Sequence, residues 1–206
     1  MTIRKGGEWG ELCDPPTHIP RFTSARDLGR ILEQGDTAHL GRPPFSCFVH
    51  NENFMDLLGV KGARYGRCLR APVDLLIVET LVGGVTRHFV AVEQVRLASR
   101  LSNGAVVLIS NTGIWRRRRF APRAHPNDGR IDILSVDDDM SLRQRVLAYR
   151  RARIGNHLPH PQLHLEQSAT FAWRGSPLSC WIDGERIGSV SALNVRVAPD
   201  AAVLYF

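Results

Sequence analysis

The pattern of apolar and polar residues predicts a chain made mainly of β-strands after Ala71. Residues 73–79 are apolar or β-branched with few exceptions, and residues 87–97 alternate between apolar and polar side chains. Period-two alternation and short apolar runs are typical of strands. The same patterns predict further strands at residues 105–109, 131–133, 163–173, 178–182, 185–190, 193–197 and 202–206. Many short strands with few helices indicate a mainly β protein, a two-layer β-sandwich.

A short helix is predicted ahead of these strands, at residues 24–35. Ser24 is a favourable N-cap residue, apolar side chains recur at helical spacing after it, and Gly35 ends the pattern. We therefore expect residues 1–70 to form an N-terminal arm and helical extension that packs on a main domain of residues 71–206.

A second helix is predicted at residues 141–153, with Ser141 as its N-cap. Leu142, Val146 and Tyr149 recur at helical spacing, and arginines occupy many of the other positions. An apolar stripe of this kind normally faces the protein core. We therefore expect the stripe to pack on the sandwich, with the arginines on the outside.

The composition is that of an ordinary globular protein, with 43% hydrophobic and 23% charged residues among 206. No stretch approaches the ~20 uninterrupted apolar residues of a membrane-spanning helix. The N-terminus lacks the apolar segment of a signal peptide. The four cysteines are scattered without a paired motif, which indicates reduced thiols. These features predict a cytoplasmic protein without a transmembrane segment.

Arginines are concentrated in two groups and contribute to a net charge of +7. One group lies in the second predicted helix, and the other is the consecutive run Arg116, Arg117, Arg118 and Arg119. Arginines flanked by aromatic residues, as here, can bind phosphate while the rings enter an apolar interface. They can equally stack with single-stranded nucleic acid, or form a solvated loop. The run is a candidate site for an anionic lipid or a phosphorylated ligand, and less favourably for nucleic acid. Binding to an anionic lipid would place the protein at the membrane periphery.

Three segments follow one another along the chain in a recognisable order: Ser110-Asn111, residues 121–133 (APRAHPNDGRIDI) and residues 181–185 (WIDGE). Together they resemble the C-terminal β-sandwich domain of the diacylglycerol kinase and YegS-like lipid kinase family, in the NAD kinase/diacylglycerol kinase superfamily. The resemblance covers residues 71–206. Asp and Gly favour tight turns, so turn formation alone also explains both Asp-Gly pairs.

The resemblance implies a role for each motif. Glu185 matches the general base that takes a proton from the lipid hydroxyl, and Asp183 belongs to the same motif. Asp128 matches an aspartate that holds a structural Mg²⁺ with backbone carbonyls, which would be those of His125 and Arg130 here. Asn111, together with the arginine run, is a candidate for binding a ligand or phosphate.

One departure from the family decides the expected activity. The kinases cradle ATP phosphates in a Gly-Gly-Asp-Gly-Thr loop, and this sequence contains neither that loop nor a P-loop. We therefore expect no ATP site and no kinase activity by the chain alone. The favoured hypothesis is a non-catalytic domain that binds a lipid, a phosphorylated ligand or an anionic surface.

Two alternatives stay open. In the first, the chain is half of a lipid kinase that a nucleotide-binding partner protein or a second copy completes, with Glu185 as the base. In the second, it is a nucleic-acid-binding protein that uses its arginine groups.

Overall fold

The computed structural model describes residues 9–34, 45–58, 67–99 and 104–206. Its helices are α1 (Ala25–Gln34), α2 (Glu52–Leu58) and α3 (Leu142–Arg151). Its strands are β1 (Glu11–Cys13), β2 (Arg21–Phe22), β3 (Phe45–Val49), β4 (Cys68–Val82), β5 (Val85–Ala91), β6 (Gln94–Ala98), β7 (Val106–Ser110), β8 (Ile114–Trp115), β9 (Arg118–Arg119), β10 (Ile131–Val136), β11 (Leu163–Ser168), β12 (Thr170–Ile182) and β13 (Glu185–Tyr205). The described part of the chain is therefore mainly β, as the sequence predicts. Gly35, the predicted end of the first helix, lies outside the described residues.

Eleven of these strands form one sheet, in which most neighbours are antiparallel. The strand order is β1–β4–β13–β12–β6–β7–β10–β11, with β5 beside β4, β3 beside β13 and β2 beside β3. Strands β8 and β9 form a separate hairpin. Strands β1 to β3 belong to the same sheet as the later strands, and β4 runs across the predicted boundary between residues 70 and 71. The division of the chain at this boundary stays a prediction.

The sheet contains long strands, and some of them unite several short strands that the sequence predicts as separate. Strand β13 takes in the three strands predicted between residues 185 and 206, and its pairing with β4 shifts register between Ala198 and Ala202. Asp200 lies at that shift with a φ of 53°. Extra residues of this kind bend a strand without ending it, so what the sequence predicts as turns are irregularities within one continuous strand.

Apolar side chains form a core inside the sandwich and two clusters on its outer faces. The inner core takes residues from strands β4 to β7, β10, β12 and β13. A second cluster packs α1, α2 and β3 on the outer side of β4 and β13. A third cluster covers the outer side of β7, β10 and β11 and includes Phe120 and Met140. The two-layer sandwich with few helices is thus confirmed.

The single strand expected at residues 87–97 is two strands, because the chain turns at Val92 and Glu93. The backbone amides of Val92, Glu93 and Gln94 all donate to the carboxylate of Asp183. A carboxylate from a distant hairpin therefore replaces the ladder partners that would have continued the strand. Apolar alternation along the segment does not reveal this interruption.

Helix α3 begins as predicted but faces the opposite way. Ser141 forms a capping box with Gln144, which confirms the predicted N-cap. No α3 side chain is buried, and Leu142, Val146 and Leu147 are 55%, 47% and 45% exposed. Ala148 contacts the third cluster instead. The expectation that the apolar stripe packs on the sandwich is therefore wrong for Leu142, Val146 and Leu147, whereas Tyr149 packs on Trp115.

Candidate functional site

The hairpin between β12 and β13 positions both residues of the predicted acidic motif. Asp183 and Gly184 have φ angles of 46° and 87°, the left-handed conformation that a two-residue hairpin turn requires. The carboxylate of Asp183 accepts hydrogen bonds from the Val92 amide at 2.8 Å and from the Glu93 and Gln94 amides at 2.9 Å. Asp183 therefore holds the β5–β6 turn in place.

Two acidic side chains lie close together behind this hairpin. Burial, together with the nearby carboxylate of Glu93, raises the pKa of Asp183 to about 7, against the three amides that favour its charged form. Burial also raises the pKa of Glu93, whose carboxylate accepts hydrogen bonds from the side chains of Asn51 and Asn53. The pair has an elevated proton affinity.

Glu185, unlike Asp183, pairs with arginine side chains of α1. Its carboxylate is bound by Arg26 Nε at 2.5 Å and by an Arg30 guanidinium nitrogen at 2.7 Å, and 36% of its side chain is exposed. Hydrogen bonds from Arg26 and Arg30 lower the pKa of Glu185. Glu185 is therefore an ionised, paired carboxylate at the rim of the sheet, with a low affinity for protons.

Helix α1 covers this rim. Arg26 is buried, and it pairs with Glu33 of the same helix as well as with Glu185. Glu33 in turn accepts a hydrogen bond from the Val90 amide at 3.1 Å. Gly29 lies against the Val90 carbonyl so closely that a Cβ would be 2.4 Å from the oxygen. Helix α1 is thus fixed to β5 on one side and to Glu185 on the other.

The predicted metal site lies in the turn before β10. Asp128 accepts a hydrogen bond from the Arg130 amide at 3.0 Å, a local turn interaction. The completely buried Asp74 accepts from the Gly129 and Asp200 amides at 2.7 and 2.8 Å, and burial raises its pKa to about 6.

This turn offers few side-chain ligands for a metal ion. Within the described ranges, no group of three or more His, Cys, Asp or Glu side chains is arranged to hold one. Asp74 is committed to backbone amides, which leaves Asp128 with the carbonyls of His125 and Arg130. A structural Mg²⁺ there stays a prediction.

Asn111 lies inside the protein, completely buried. Its side-chain amide donates to the Asp74 carbonyl at 2.6 Å, and its backbone amide donates to the Glu93 carbonyl at 2.9 Å. It therefore joins the middle of β4 and the end of β7 to the β5–β6 turn. Its predicted ligand role remains a prediction.

The arginine run forms the β8–β9 hairpin, and its members have different surroundings. Arg116 and Arg117 occupy the two turn positions, with φ angles of 48° and 59°. Arg117 donates to Glu52 at 2.8 and 3.2 Å, and Arg116 lies 5.0 Å from the ring centre of Trp115. Arg118 lies 4.5 Å from the ring centre of Tyr149 in α3. The aromatic partners hold the hairpin against α3.

In the part of the chain that the structure describes, three cavities lie beside the two hairpins. The largest, about 510 Å³, brings Asp183 together with Arg116 and Arg117, so part of the acidic motif and part of the arginine run share one polar cleft. A second, about 260 Å³ and mostly apolar, lies between α3 and the outer face of the sheet. A third, about 200 Å³, lies beside Gly184 and Trp181.

Arg96 is the site residue that sequence reasoning missed. It lies in β6 between two core residues and lines both the apolar cavity and the small cleft. Its guanidinium carbon is 3.6 Å from the ring centre of Trp181, which is paired with it across β6 and β12. A lone arginine in an alternating strand pattern was the available signal, but its tryptophan partner is eighty-five positions away in the sequence.

The family model described as YegS C-terminal NAD kinase beta sandwich-like domain matches residues 86–206, more than half of the chain. The chain belongs to this family. The match includes both hairpins and α3, whereas residues 23–25 and 50–53, which also line the 510 Å³ cleft, lie outside it. Among curated proteins, none matches the chain. The YegS C-terminal match therefore identifies the domain without assigning it an activity.

Solved structures that resemble this YegS C-terminal domain include a diacylglycerol kinase from Bacillus anthracis str. Sterne, at 12% identity and a TM-score of 0.43, covering 79% of this chain and 66% of that one. Two structures of a candidate diacylglycerol kinase from the same organism have 13% and 12% identity and TM-scores of 0.35 and 0.36, each covering 65% of this chain. This chain spans 39% and 40% of the length of those two. None of the helices in the described part of the chain is long and apolar enough to cross a membrane.

Proposed function

We propose that this domain binds anionic lipid surfaces without catalysing phosphoryl transfer, and that α3 is the element that enters the surface. The observation that carries the proposal is the outward-facing set of large apolar side chains on α3 and the turn after it. The set consists of Val146, Leu147 and Ile154, together with the exposed part of Leu142, whereas Tyr149 packs on Trp115 and Arg118 of the β8–β9 hairpin.

Arginines lie among these apolar side chains. Arg143, Arg150, Arg151 and Arg153 are all exposed on the same short segment. An amphipathic segment with apolar and arginine side chains typically lies in the membrane interface, with its apolar groups among the acyl chains. Each arginine near an anionic leaflet contributes roughly 1 kcal/mol at physiological ionic strength. Attraction by the arginines and burial of the apolar groups therefore act together.

The state of Glu185 supports binding over catalysis. A general base needs a pKa near the working pH, whereas the ion pairs with Arg26 and Arg30 lower the pKa of Glu185. The sequence also lacks the glycine-rich loop that would hold a triphosphate. Completion by a nucleotide-binding partner would require α1 to release Glu185, so this alternative is the less favoured one.

The test is co-sedimentation of the full chain with vesicles of phosphatidylcholine alone or with phosphatidylserine added. Leu147→Glu places a negative charge in the proposed contact. It should lower the partition coefficient for anionic vesicles at least 10-fold, because the apolar contact is lost and the anionic lipids repel the carboxylate. Val85→Glu is the matched control, because Val85 is 58% exposed in the β4–β5 hairpin, away from α3.

The outcomes separate the hypotheses. Wild-type binding to anionic vesicles that Leu147→Glu abolishes and Val85→Glu preserves supports the proposal. Equal binding by the wild type and Leu147→Glu contradicts it. A single-stranded oligonucleotide serves as the competing ligand: tighter, salt-sensitive binding to it than to vesicles would favour the nucleic-acid alternative.

A further inference from the structure

We propose that Arg96 and Arg116, together with Trp115 and Trp181, form a binding site for a phosphate ester. The inference deepens the proposed function, and rests on it, by naming the head-group chemistry that the lipid-binding surface would select. The residues are not those of α3, so the two proposals can fail separately.

The site is the small cleft of about 200 Å³ beside the β12–β13 hairpin. Arg96 enters it from β6, and Arg116 enters it from the turn of the β8–β9 hairpin. The guanidinium carbon of Arg96 lies 3.6 Å from the ring centre of Trp181 and 5.6 Å from that of Trp115. Arg116 lies 5.0 Å from the ring centre of Trp115. The indoles thus hold two arginines around one opening.

These two arginines lack the acidic partners that others have. Arg26, Arg30, Arg70 and Arg117 each pair with a glutamate or aspartate. No carboxylate in the described ranges comes within ion-pair distance of Arg96 or Arg116. Burial and the nearby Arg116 lower the pKa of Arg96, which is the direction expected for a half-buried cation facing a like charge.

An oxyanion would remove this repulsion. Guanidinium groups bind phosphate and carboxylate oxygens with short, charge-assisted hydrogen bonds, and bidentate contacts are common. The cleft also contains Gln94, whose buried Oε1 has no hydrogen-bond partner among the described residues. That oxygen can accept a hydrogen bond from a ligand hydroxyl. A phosphate ester of a polyol therefore satisfies both the cations and the acceptor.

The neighbouring clefts favour this location over others. The larger polar cleft contains Arg116 and Arg117 but also Glu52, Glu93 and Asp183. Those acidic side chains make the larger cleft less favourable for an anion. In the small cleft the lining residues are Gln94, Arg96, Trp115, Arg116, Trp181 and Gly184, with no acidic side chain among them.

The small cleft adjoins the apolar cavity under α3. Arg96 and Trp115 line both spaces. Arg118 lines the apolar cavity with a buried Nε that has no hydrogen-bond partner among the described residues. A ligand with an alkyl chain could therefore place the chain in the apolar cavity and its phosphate between the arginines. The same phosphate could also come from a free sugar or glycerol phosphate.

Titration of the full chain by calorimetry distinguishes the two sources. Glycerol 3-phosphate is the soluble probe, dihexanoyl phosphatidic acid is the probe with acyl chains, and glycerol is the neutral control. We expect Arg96→Gln and Arg116→Asn to weaken binding of the phosphate probes at least 10-fold. Arg119→Gln, which removes the same charge from an exposed position, should change affinity less than 2-fold.

Each outcome decides the question. Binding of glycerol 3-phosphate that depends on Arg96 and Arg116 supports a site for phosphate esters in general. Binding of dihexanoyl phosphatidic acid alone, with the same dependence, supports the site and makes a lipid its source. The proposal is overturned if neither probe binds the wild type, or if Arg119→Gln weakens binding as much as Arg116→Asn does.

Two further measurements keep the result clear. Asn adopts the left-handed conformation of Arg116 readily, and Arg116 is exposed, so Arg116→Asn tests the site even if Arg96→Gln does not fold. Leu147→Glu should lose vesicle binding while keeping affinity for glycerol 3-phosphate. Loss of only one of these two activities shows which of the two proposals has failed.

Discussion

Asp132 shows what burial does to a single carboxyl group. It is almost completely buried in β10 and accepts one hydrogen bond, from Gln167 Nε2 at 3.0 Å. Burial raises its pKa to about 7, with a smaller contribution from Asp128. The folded protein therefore holds a proton that the unfolded chain has released at neutral pH.

This linkage predicts a pH-dependent stability. Because the folded-state pKa of Asp132 lies above the ordinary value of 3.8, stability is fully present at low pH and falls as pH rises toward about 7. The slope for one proton is at most about 1.4 kcal/mol per pH unit. Asp132→Asn keeps an acceptor for Gln167 and removes the charge, so it should raise the free energy of unfolding at pH 8 by roughly 1–3 kcal/mol.

Urea unfolding at pH 5, 6, 7 and 8 measures this effect. The gain from Asp132→Asn should shrink as pH falls, and the exposed Asp138→Asn should leave the pH dependence unchanged. A destabilised Asp132→Asn protein at pH 8 would mean that the carboxylate, and not the acid, is the form the fold prefers.

The Asp183 motif shows how far single residues could be predicted. The Asp-Gly pair correctly predicts the hairpin, because left-handed turn positions select those residues locally. The direction of the Asp183 carboxylate could not be predicted, since its partners at Val92 to Gln94 are about ninety residues earlier. The ion pairs of Glu185 with Arg26 and Arg30 are likewise invisible to local patterns. Residues whose roles depend on turn geometry were predictable, and those whose roles depend on distant partners were not.

At the scale of elements, α1 depends on one close approach. Alanine is the better helix former by about 1 kcal/mol, so Gly→Ala in a helix is ordinarily stabilising. At Gly29 the new Cβ would lie 2.4 Å from the Val90 carbonyl oxygen, and a backbone atom cannot swing aside. We therefore expect Gly29→Ala to destabilise the protein by about 1–3 kcal/mol, the range for overpacking.

Chemical unfolding measures this loss, with Ile31→Ala as the control because Ile31 is exposed on the same helix. A stabilised Gly29→Ala protein would show that α1 does not press on β5. The additional contact to Glu185 makes a second readout possible, since displacement of α1 should also release Arg26 and Arg30 from the rim.

The two longer helices, α1 and α3, also show why element existence was easier to predict than element orientation. Caps and apolar spacing lie within a few residues of one another, so both helices are correctly placed. The face that α3 turns inward is decided by Arg145, which donates to the carbonyls of Gly104 and Met140, and by the small side chain of Ala148. A stripe of larger apolar residues is then left outside. A pattern that normally signals a core-facing helix here marks a candidate binding surface.

At the scale of the whole molecule, one strip connects the acidic rim to the apolar helix. It begins at α1 and Glu185, passes the small cleft with Arg96 and Arg116, and reaches Tyr149, which meets Trp115 edge-on at a centroid distance of 5.9 Å. Arg26 and Arg30 of α1 neutralise the charge of Glu185 at its start, whereas Arg143, Arg150 and Arg151 at its other end have no ion-pair partner among the residues that the structure describes. The strip therefore presents positive charge and apolar surface to the same side.

This arrangement predicts a specific salt dependence for vesicle binding. The Debye length falls from about 8 Å at 0.15 M salt to about 3 Å at 1 M, so the attraction of the exposed α3 arginines to an anionic leaflet should be largely screened. Loss of roughly half of an attraction of about 1 kcal/mol for each of four arginines amounts to roughly a 30-fold weaker affinity. Co-sedimentation with phosphatidylserine-containing vesicles across this range measures the loss.

The residual binding at high salt is the more discriminating part of the measurement. Burial of the α3 apolar side chains does not depend on charge, so a plateau should remain, and Leu147→Glu should remove it. Purely electrostatic association, with nucleic acid or with any anionic polymer, would instead continue to fall with a steep logarithmic slope and would not depend on Leu147. A slope without a plateau in the wild type would contradict the insertion of α3 while leaving the phosphate-ester site to be judged by its own titration.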